Sequence, residues 1–215
     1  MDFLNSIILL TNFIIVPGIT YGSQLALGAI GVTLIYGVLR FANFAYGDLM
    51  AFGTMIVILV TWYLQSKGIT FGLLPTALLA LPIGILLTIA VSLFFDKTVF
   101  EYYREKKSNP VTFIVVSLGI MFILNAVVRI IIGPNDINFM DGHKFIMKAR
   151  EFKQLTGLNE GLAIKSTQVI TLVTTIITCF LLFYFLNKTK TGKSMRAYSN
   201  NEDLALLSGI DPKKI

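Results

Sequence analysis

Few residues in this chain could do covalent or metal chemistry, and their placing argues against it. Thr191 to Ser194 reads TGKS, like the end of a P-loop, in which glycines let backbone N–H groups wrap a phosphate. The leading glycine of that motif would fall at Asn187, and an apolar run of helix length precedes the string where a P-loop needs a strand. TGKS is therefore a decoy. His143 is the sole histidine and lies in a polar stretch, with no cysteine or second histidine to complete a metal site. It reads as a solvated loop residue, and no metal is expected. Cys179 is the only cysteine and falls inside the last apolar run, so it is expected to be an ordinary buried thiol without a disulfide. The acidic residues and the histidine all lie outside the apolar runs, so no Ser, His and carboxylate arrangement can be assembled, and no catalytic residue is expected.

What remains inside the apolar runs, and in the short loop from Arg40 to Asp48 that joins two of them, is hydroxyl and amide chemistry. Ser23, Tyr36, Asn43 and Asn125 could hold a neutral polar solute, although a hydrogen bond between helices is the weightier reading for each. The elements that position them are defined by missing charge. Between Asp2 and Arg40 there are 37 consecutive uncharged residues, between Lys67 and Asp96 there are 28, and between Lys165 and Lys188 there are 22. Leu49 to Ser66 and Ser108 to Val128 supply 18 and 21 more. Crossing the hydrocarbon takes roughly 17 to 25 apolar residues as helix, and lipid-exposed strands would leave backbone groups unpaired, so each run is expected to be a membrane helix. The expected fold class is all-α, a polytopic helical membrane protein with at least five transmembrane helices.

The first run is too long for one untilted span, and Pro17–Gly18 is expected to break it, leaving residues 3–16 as an interfacial or partly inserted lead-in and 18–39 as the first full span. The later spans are placed at 49–65, 71–95, 110–132 and 167–187. Met1 and Asp2 offer no basic leader, so the start does not read as a cleaved signal peptide. Gly18, Gly22 and Ala26 recur every four residues and would let another helix approach closely.

Orientation follows from the basic residues. Arg40, Lys97, Arg104, Lys106, Lys107, Lys188, Lys190, Lys193, Arg196, Lys213 and Lys214 would share one side, and only Lys67, Lys144, Lys148, Arg150, Lys153 and Lys165 the other, with Arg129 near that end of its helix and able to snorkel. The richer side should be cytoplasmic. A permease domain over residues 1–187, with an extracytoplasmic loop near 134–165, would thus be followed by a cytoplasmic segment, 188–215. The formal charge of +6 is then a matter of orientation and not of nucleic-acid binding. With no Asp, Glu or His expected inside the spans, proton coupling has no carrier. Energy would come from a partner protein, from ions held by uncharged ligands, or from nothing, as in a channel.

The cytoplasmic segment, MRAYSNNEDLALLSGIDPKKI from Met195, places Asp203, Leu204 and Ala205 three residues before Gly209. This spacing resembles the EAA loop of ABC importer permeases. Ala205 and Gly209, four apart on one helical face, would permit close docking, and Asp203 could engage basic groups of a partner. GITYGSQLALGAIGVTLIYGVLRFANFAYGD, Gly18 to Asp48, resembles the opening of the branched-chain amino acid permease family of ABC importers, including its turn at Asn43 to Gly47. FEYYREKKSNPVTFIVVSLGIMFILNAVVRIIIG, Phe100 to Gly133, is similar to the family's next block, and Gly192, Arg196, Ala197, Asn201 and Gly209 fall where its cytoplasmic loop expects them. Tyr46 stands where many members have histidine, and Asp203 and Leu204 replace Glu and Ala of the EAA consensus.

The resemblance implies a multi-pass permease subunit in the cell's inner membrane, importing branched-chain or other neutral amino acids. Implied partners are a second permease subunit, two cytoplasmic ATPases carrying ATP and magnesium, and an extracytoplasmic solute-binding protein. The chain itself would bind no cofactor and hydrolyse nothing. Arg196, Asn201, Asp203, Ala205 and Gly209 would couple the ATPases to the bundle. Family members continue through several more membrane helices, so the chain resembles about the first two-thirds of a permease. A urea or amide importer, a stand-alone ion-coupled carrier or channel, and a structural subunit without a path are the competing expectations.

Overall fold

The computed structural model describes residues 2–72, 74–135, 139, 141 and 145–210. His143, Lys144, Lys213 and Lys214, used above for the loop and the orientation, lie outside these. Five helices among the described residues are long and apolar enough to cross a membrane: 3–39, 46–66, 77–105, 110–132 and 166–188. The chain divides into two compact units, residues 1–39 with 144–215, and residues 40–143.

In the first unit, α1 (Asp2–Leu10) passes through a π-helical segment (Thr11–Ile15) into α2 (Val16–Leu39). The break expected at Pro17 does not occur. Proline lacks an N–H to donate and its ring crowds the preceding turn. The wide turn just before it, closed by Val16 N–H to Thr11 O, absorbs the mismatch and the helix continues.

In the second unit, α3 (Tyr46–Ser66) packs on α4 (Ala77–Phe95) and on α6 (Pro110–Ile132). The third span starts later than expected, at Ala77, and runs on through a second π-helical segment (Asp96–Phe100) and α5 (Glu101–Glu105). Asp141 explains the late start. Its carboxylate accepts from Ala77 N at 2.6 Å and from Gln65 Nε2 at 2.9 Å, so an anion sits at the positive end of α4 and ties it to the end of α3. At the other end of the span, Arg104 grips Asp96 through both carboxylate oxygens at 2.7 and 2.8 Å. Pro110 opens α6, where its missing N–H costs nothing.

A close helix approach also lies here. A Cβ added to Gly84 of α4 would come within 2.4 Å of Val57 Cγ2, and one on Gly53 of α3 within 2.6 Å of Thr88 Oγ1. A Cβ at Gly18 or Gly22 would meet nothing within 4 Å. Within this chain the tight glycine seam therefore runs between α3 and α4, and the Gly18, Gly22 and Ala26 face is exposed.

The first unit is completed by a short antiparallel pair, β1 (Phe145–Met147) with β2 (Ile164–Lys165), which brackets α7 (Ala149–Thr156). Then follow α8 (Ser166–Lys188), α9 (Lys190–Asn200) and α10 (Glu202–Leu207), with α2 lying along α8 and α9. Asn5 and Asn12 accept from the backbone N–H groups of Glu160 and Ala163, at 3.4 and 3.3 Å, joining the start of the chain to this loop.

Candidate functional site

The stretch from Phe41 to Asp48 anchors the start of α3 in the second unit. Phe41 and Ala45 are buried, at 6% and 1% exposure, in a cluster with Phe100, Phe113, Ile120 and Leu124. The Phe41 ring stacks on Phe113 at 5.0 Å and tilts against Phe100 at 5.6 Å. Irregular backbone at membrane depth survives only where its polar groups find partners. Here Ala45 N donates to Asn43 Oδ1 at 3.1 Å and Phe44 N donates to Ser117 Oγ at 3.1 Å. The Ser117 hydroxyl in turn donates to Ile114 O at 2.8 Å and is fully buried. Asn43, a candidate for the solute path, thus has its amide oxygen committed to the turn that launches α3.

One turn further on, three side chains form a chain of hydrogen bonds. Asn125 Nδ2 donates to Asp48 Oδ1 at 3.0 Å, and Arg129 Nε donates to Asn125 Oδ1 at 2.9 Å. Asp48 is the third residue of α3 and sits beside a residue well inside α6, which corrects the expectation that every acidic group lies outside the apolar spans. Its position one residue before an uncharged run made it look like a loop residue. The contact that draws it inward comes from 77 residues away, a distance over which local charge pattern carries no signal. Ser117 and Asp141 were missed for the same reason, since each acts on a backbone N–H remote in sequence.

The two remaining candidates are on α2. Ser23 is half-buried and its hydroxyl donates to Thr20 O at 2.7 Å, within its own helix, whereas the Tyr36 ring is exposed. Neither joins the Asp48, Asn125 and Arg129 group, which belongs to the other unit.

Beyond α8 the chain makes an elbow at Thr189, which is extended at ψ 152°. Thr189 serves both helices: its hydroxyl donates to Phe185 O at 2.7 Å, closing α8, and accepts from Gly192 N at 3.0 Å, opening α9. A Cβ on Gly192 would fall 2.2 Å from Phe185 O, so only glycine lets the second helix fold back this tightly. The TGKS string is accounted for in this way, as a helix start after a membrane helix. Arg196 Nη1 donates back to Asn187 Oδ1 at 2.6 Å, across the elbow.

Asn201 separates α9 from α10 and caps the latter, accepting from Leu204 N at 3.0 Å. Asp203 lies in the first turn of α10 and favours that helix end electrostatically. Ala205 and Gly209 do not share a helical face, because the helix stops at Leu207. Ala205 is buried at 3% exposure, and Gly209 takes φ of +80°, the left-handed conformation that ends a helix. The spacing between them reflects a buried alanine and a terminating glycine.

Comparison with known proteins places this geometry in context. A family model described as "Branched-chain amino acid transport system / permease component" matches residues 14–215. The chain is similar to the high-affinity branched-chain amino acid transport system permease protein LivH of Escherichia coli strain K12, at 23% identity over 203 residues, covering 92% of this chain and 62% of that protein. The corresponding BraD protein of Pseudomonas aeruginosa is 25% identical over 210 residues, covering 94% of this chain and 63% of its own length. A probable LivH of Methanocaldococcus jannaschii is 27% identical over 209 residues, with 94% and 59% covered. The chain therefore spans about three-fifths of the length of these curated relatives. No solved structure gives a significant match.

Proposed function

The chain belongs to the family of branched-chain amino acid transport permease components, a multi-pass protein of the inner membrane, and from that premise we propose that it is a permease subunit of an ATP-driven importer for branched-chain or other neutral amino acids. The observation that carries the proposal is the family match over nearly the whole chain, with relatives named as permeases of branched-chain amino acid transport. The elbow from Thr189 to Gly209 supports it. Two short capped helices, bonded to the end of a membrane helix, carry Lys190, Lys193 and Arg196.

In this reading the chain pairs with a like or related permease, and two cytoplasmic ATPases bind ATP and magnesium. An extracytoplasmic binding protein delivers the solute. Closure of the ATPases pushes on α9 and α10, and because Thr189, Gly192 and Arg196 lock the elbow, the push reaches α8 instead of being lost in a flexible joint. These helices can shift the bundle only by the difference in their contacts between the two states. No reacting group is needed in the chain itself.

Leucine uptake into proteoliposomes containing the chain with its ATPase and binding-protein partners tests this. Uptake is expected to require ATP on the side of Lys193, and to fall in Gly209→Val, where a β-branched residue at φ +80° costs about 1–2 kcal/mol, a factor of about 5–30 in the population of the correct helix end. Leucine uptake by the chain with no ATPase present would overturn the reading.

A further inference from the structure

The contacts between α3 and α6 fix the depth of an unexpected group of charges. Phe44 meets Ser117 and Asp48 meets Asn125, so both helices run the same way and the start of α3 lies alongside the middle of α6. Asn125 stands fifteen residues beyond Pro110, the first residue of α6, which is about 22 Å along a helix axis. The hydrocarbon is about 30 Å thick. The Asp48 carboxylate, beside Asn125, therefore lies within the span, where ionisable groups persist only against water or protein. The Arg129 guanidinium sits in the last turn of α6, toward the far interface.

They are also not paired with each other. Among the described residues the ion pair is Arg104 with Asp96, at the end of the third span. Between Asp48 and Arg129 the Asn125 amide is interposed, giving an N–H to one and a carbonyl to the other. A clamp needing only to hold two helices together would gain most from a direct, bidentate carboxylate–guanidinium contact in so apolar a setting. The amide spacer instead keeps an anion and a cation apart on one face, with capacity left on each: the carboxylate has further lone pairs, and the guanidinium has its terminal N–H groups beyond the Nε already used. An amino acid presents the complement, an ammonium and a carboxylate on one carbon. A neutral amide or urea would have no use for two opposite charges.

We propose that Asp48, Asn125 and Arg129 form a binding station for the zwitterionic head of the transported amino acid, with Asp48 receiving the ammonium and Arg129 the carboxylate. The proposal rests on the importer reading and adds to it the place where the solute's charges are held.

The labelling test is made first with all three residues intact and then with two of them altered. In a Cys179→Ser background, Phe122→Cys puts a thiol on the face of α6 that carries Asn125, three residues away. Ile123→Cys puts one on the opposite face. Each is assembled with the partner ATPases and binding protein in proteoliposomes and treated with a membrane-impermeant cationic thiol reagent. Labelling at 122 is expected to slow about tenfold with leucine at ten times its dissociation constant, in proportion to the vacant fraction. Labelling at 123 is expected not to respond. 4-Methyl-2-oxopentanoate and isopentylamine, each lacking one charge, should protect weakly, and Asp48→Asn or Arg129→Gln should abolish protection by leucine. If the Cys179→Ser parent takes up leucine but position 122 is inert, or is labelled equally with and without leucine, the station is overturned. If leucine protects as expected while the parent shows no ATP-driven uptake, the station stands and the importer reading fails.

Discussion

Replacing Gly84 by alanine probes the seam on which the position of α3 depends. The new Cβ would lie 2.4 Å from Val57 Cγ2, 3.4 Å from Gly53 O and 3.7 Å from Val57 Cβ. Carbon atoms rest at about 3.5–4.0 Å, so one methyl group is more than about 1 Å too close while the other contacts are tight or ordinary. Val57 has little means of evasion, because a β-branched side chain in a helix has a single strongly preferred χ1. The strain must then be taken up by separating the helices. Overpacking of this kind costs about 1–3 kcal/mol. Since one side chain causes it, Val57→Ala should relieve it. Equilibrium unfolding of the full chain in bicelles, across Gly84→Ala, Val57→Ala and the double variant, measures this as a coupling. The double variant should be more stable than the sum of the single losses by about 1–2 kcal/mol, well outside the roughly 0.3–0.5 kcal/mol within which independent sites add. A Gly84→Ala variant within 0.5 kcal/mol of the parent, or an additive cycle, would refute the argument that this contact sets the helix spacing.

Two further outcomes follow from the geometry. Ser117→Ala should cost about 1–3 kcal/mol in the same unfolding assay, because it leaves the Phe44 N–H buried without its acceptor; a loss below about 0.5 kcal/mol would mean that the turn finds another partner. Gly192→Ala should abolish ATP-driven leucine uptake with membrane insertion intact, since its Cβ would meet the Phe185 carbonyl at 2.2 Å and force the elbow open. Uptake at the parent level would show that the elbow angle does not matter.

Much of the topology could be read without coordinates, because lipid imposes a one-dimensional rule: a run free of charge and long enough must cross. That rule placed 110–132 as found and 166–188 to within a residue at each end. It misread Asp48, whose neighbour in sequence is an apolar run but whose neighbour in space is Asn125. The Pro17 break was wrong because the helix had a second option, a wide turn, that composition does not reveal. Glycine spacing pointed to Gly18 and Gly22, yet the close approaches are at Gly53 and Gly84. A glycine permits contact but does not choose the partner. The segment after the last span folds as two short helices, in which Ala205 and Gly209 differ in role because a helix end intervenes, and the end is set by backbone φ.

The hydrogen bond from Phe44 N to Ser117 Oγ joins residues 73 positions apart, and this has a consequence for biogenesis. A ribosome delivers Phe44 to the insertion machinery well before Ser117 has been synthesised. During that interval the Phe44 N–H has only water or headgroups to bind, so the turn that opens α3 is expected to settle first near the interface. It can sink to its final depth only once the later helix arrives with the hydroxyl that receives it. The chain is thus built to be threaded first and seated afterwards, and a ribosome stall before residue 117 should leave the Phe41 to Asp48 turn accessible to water.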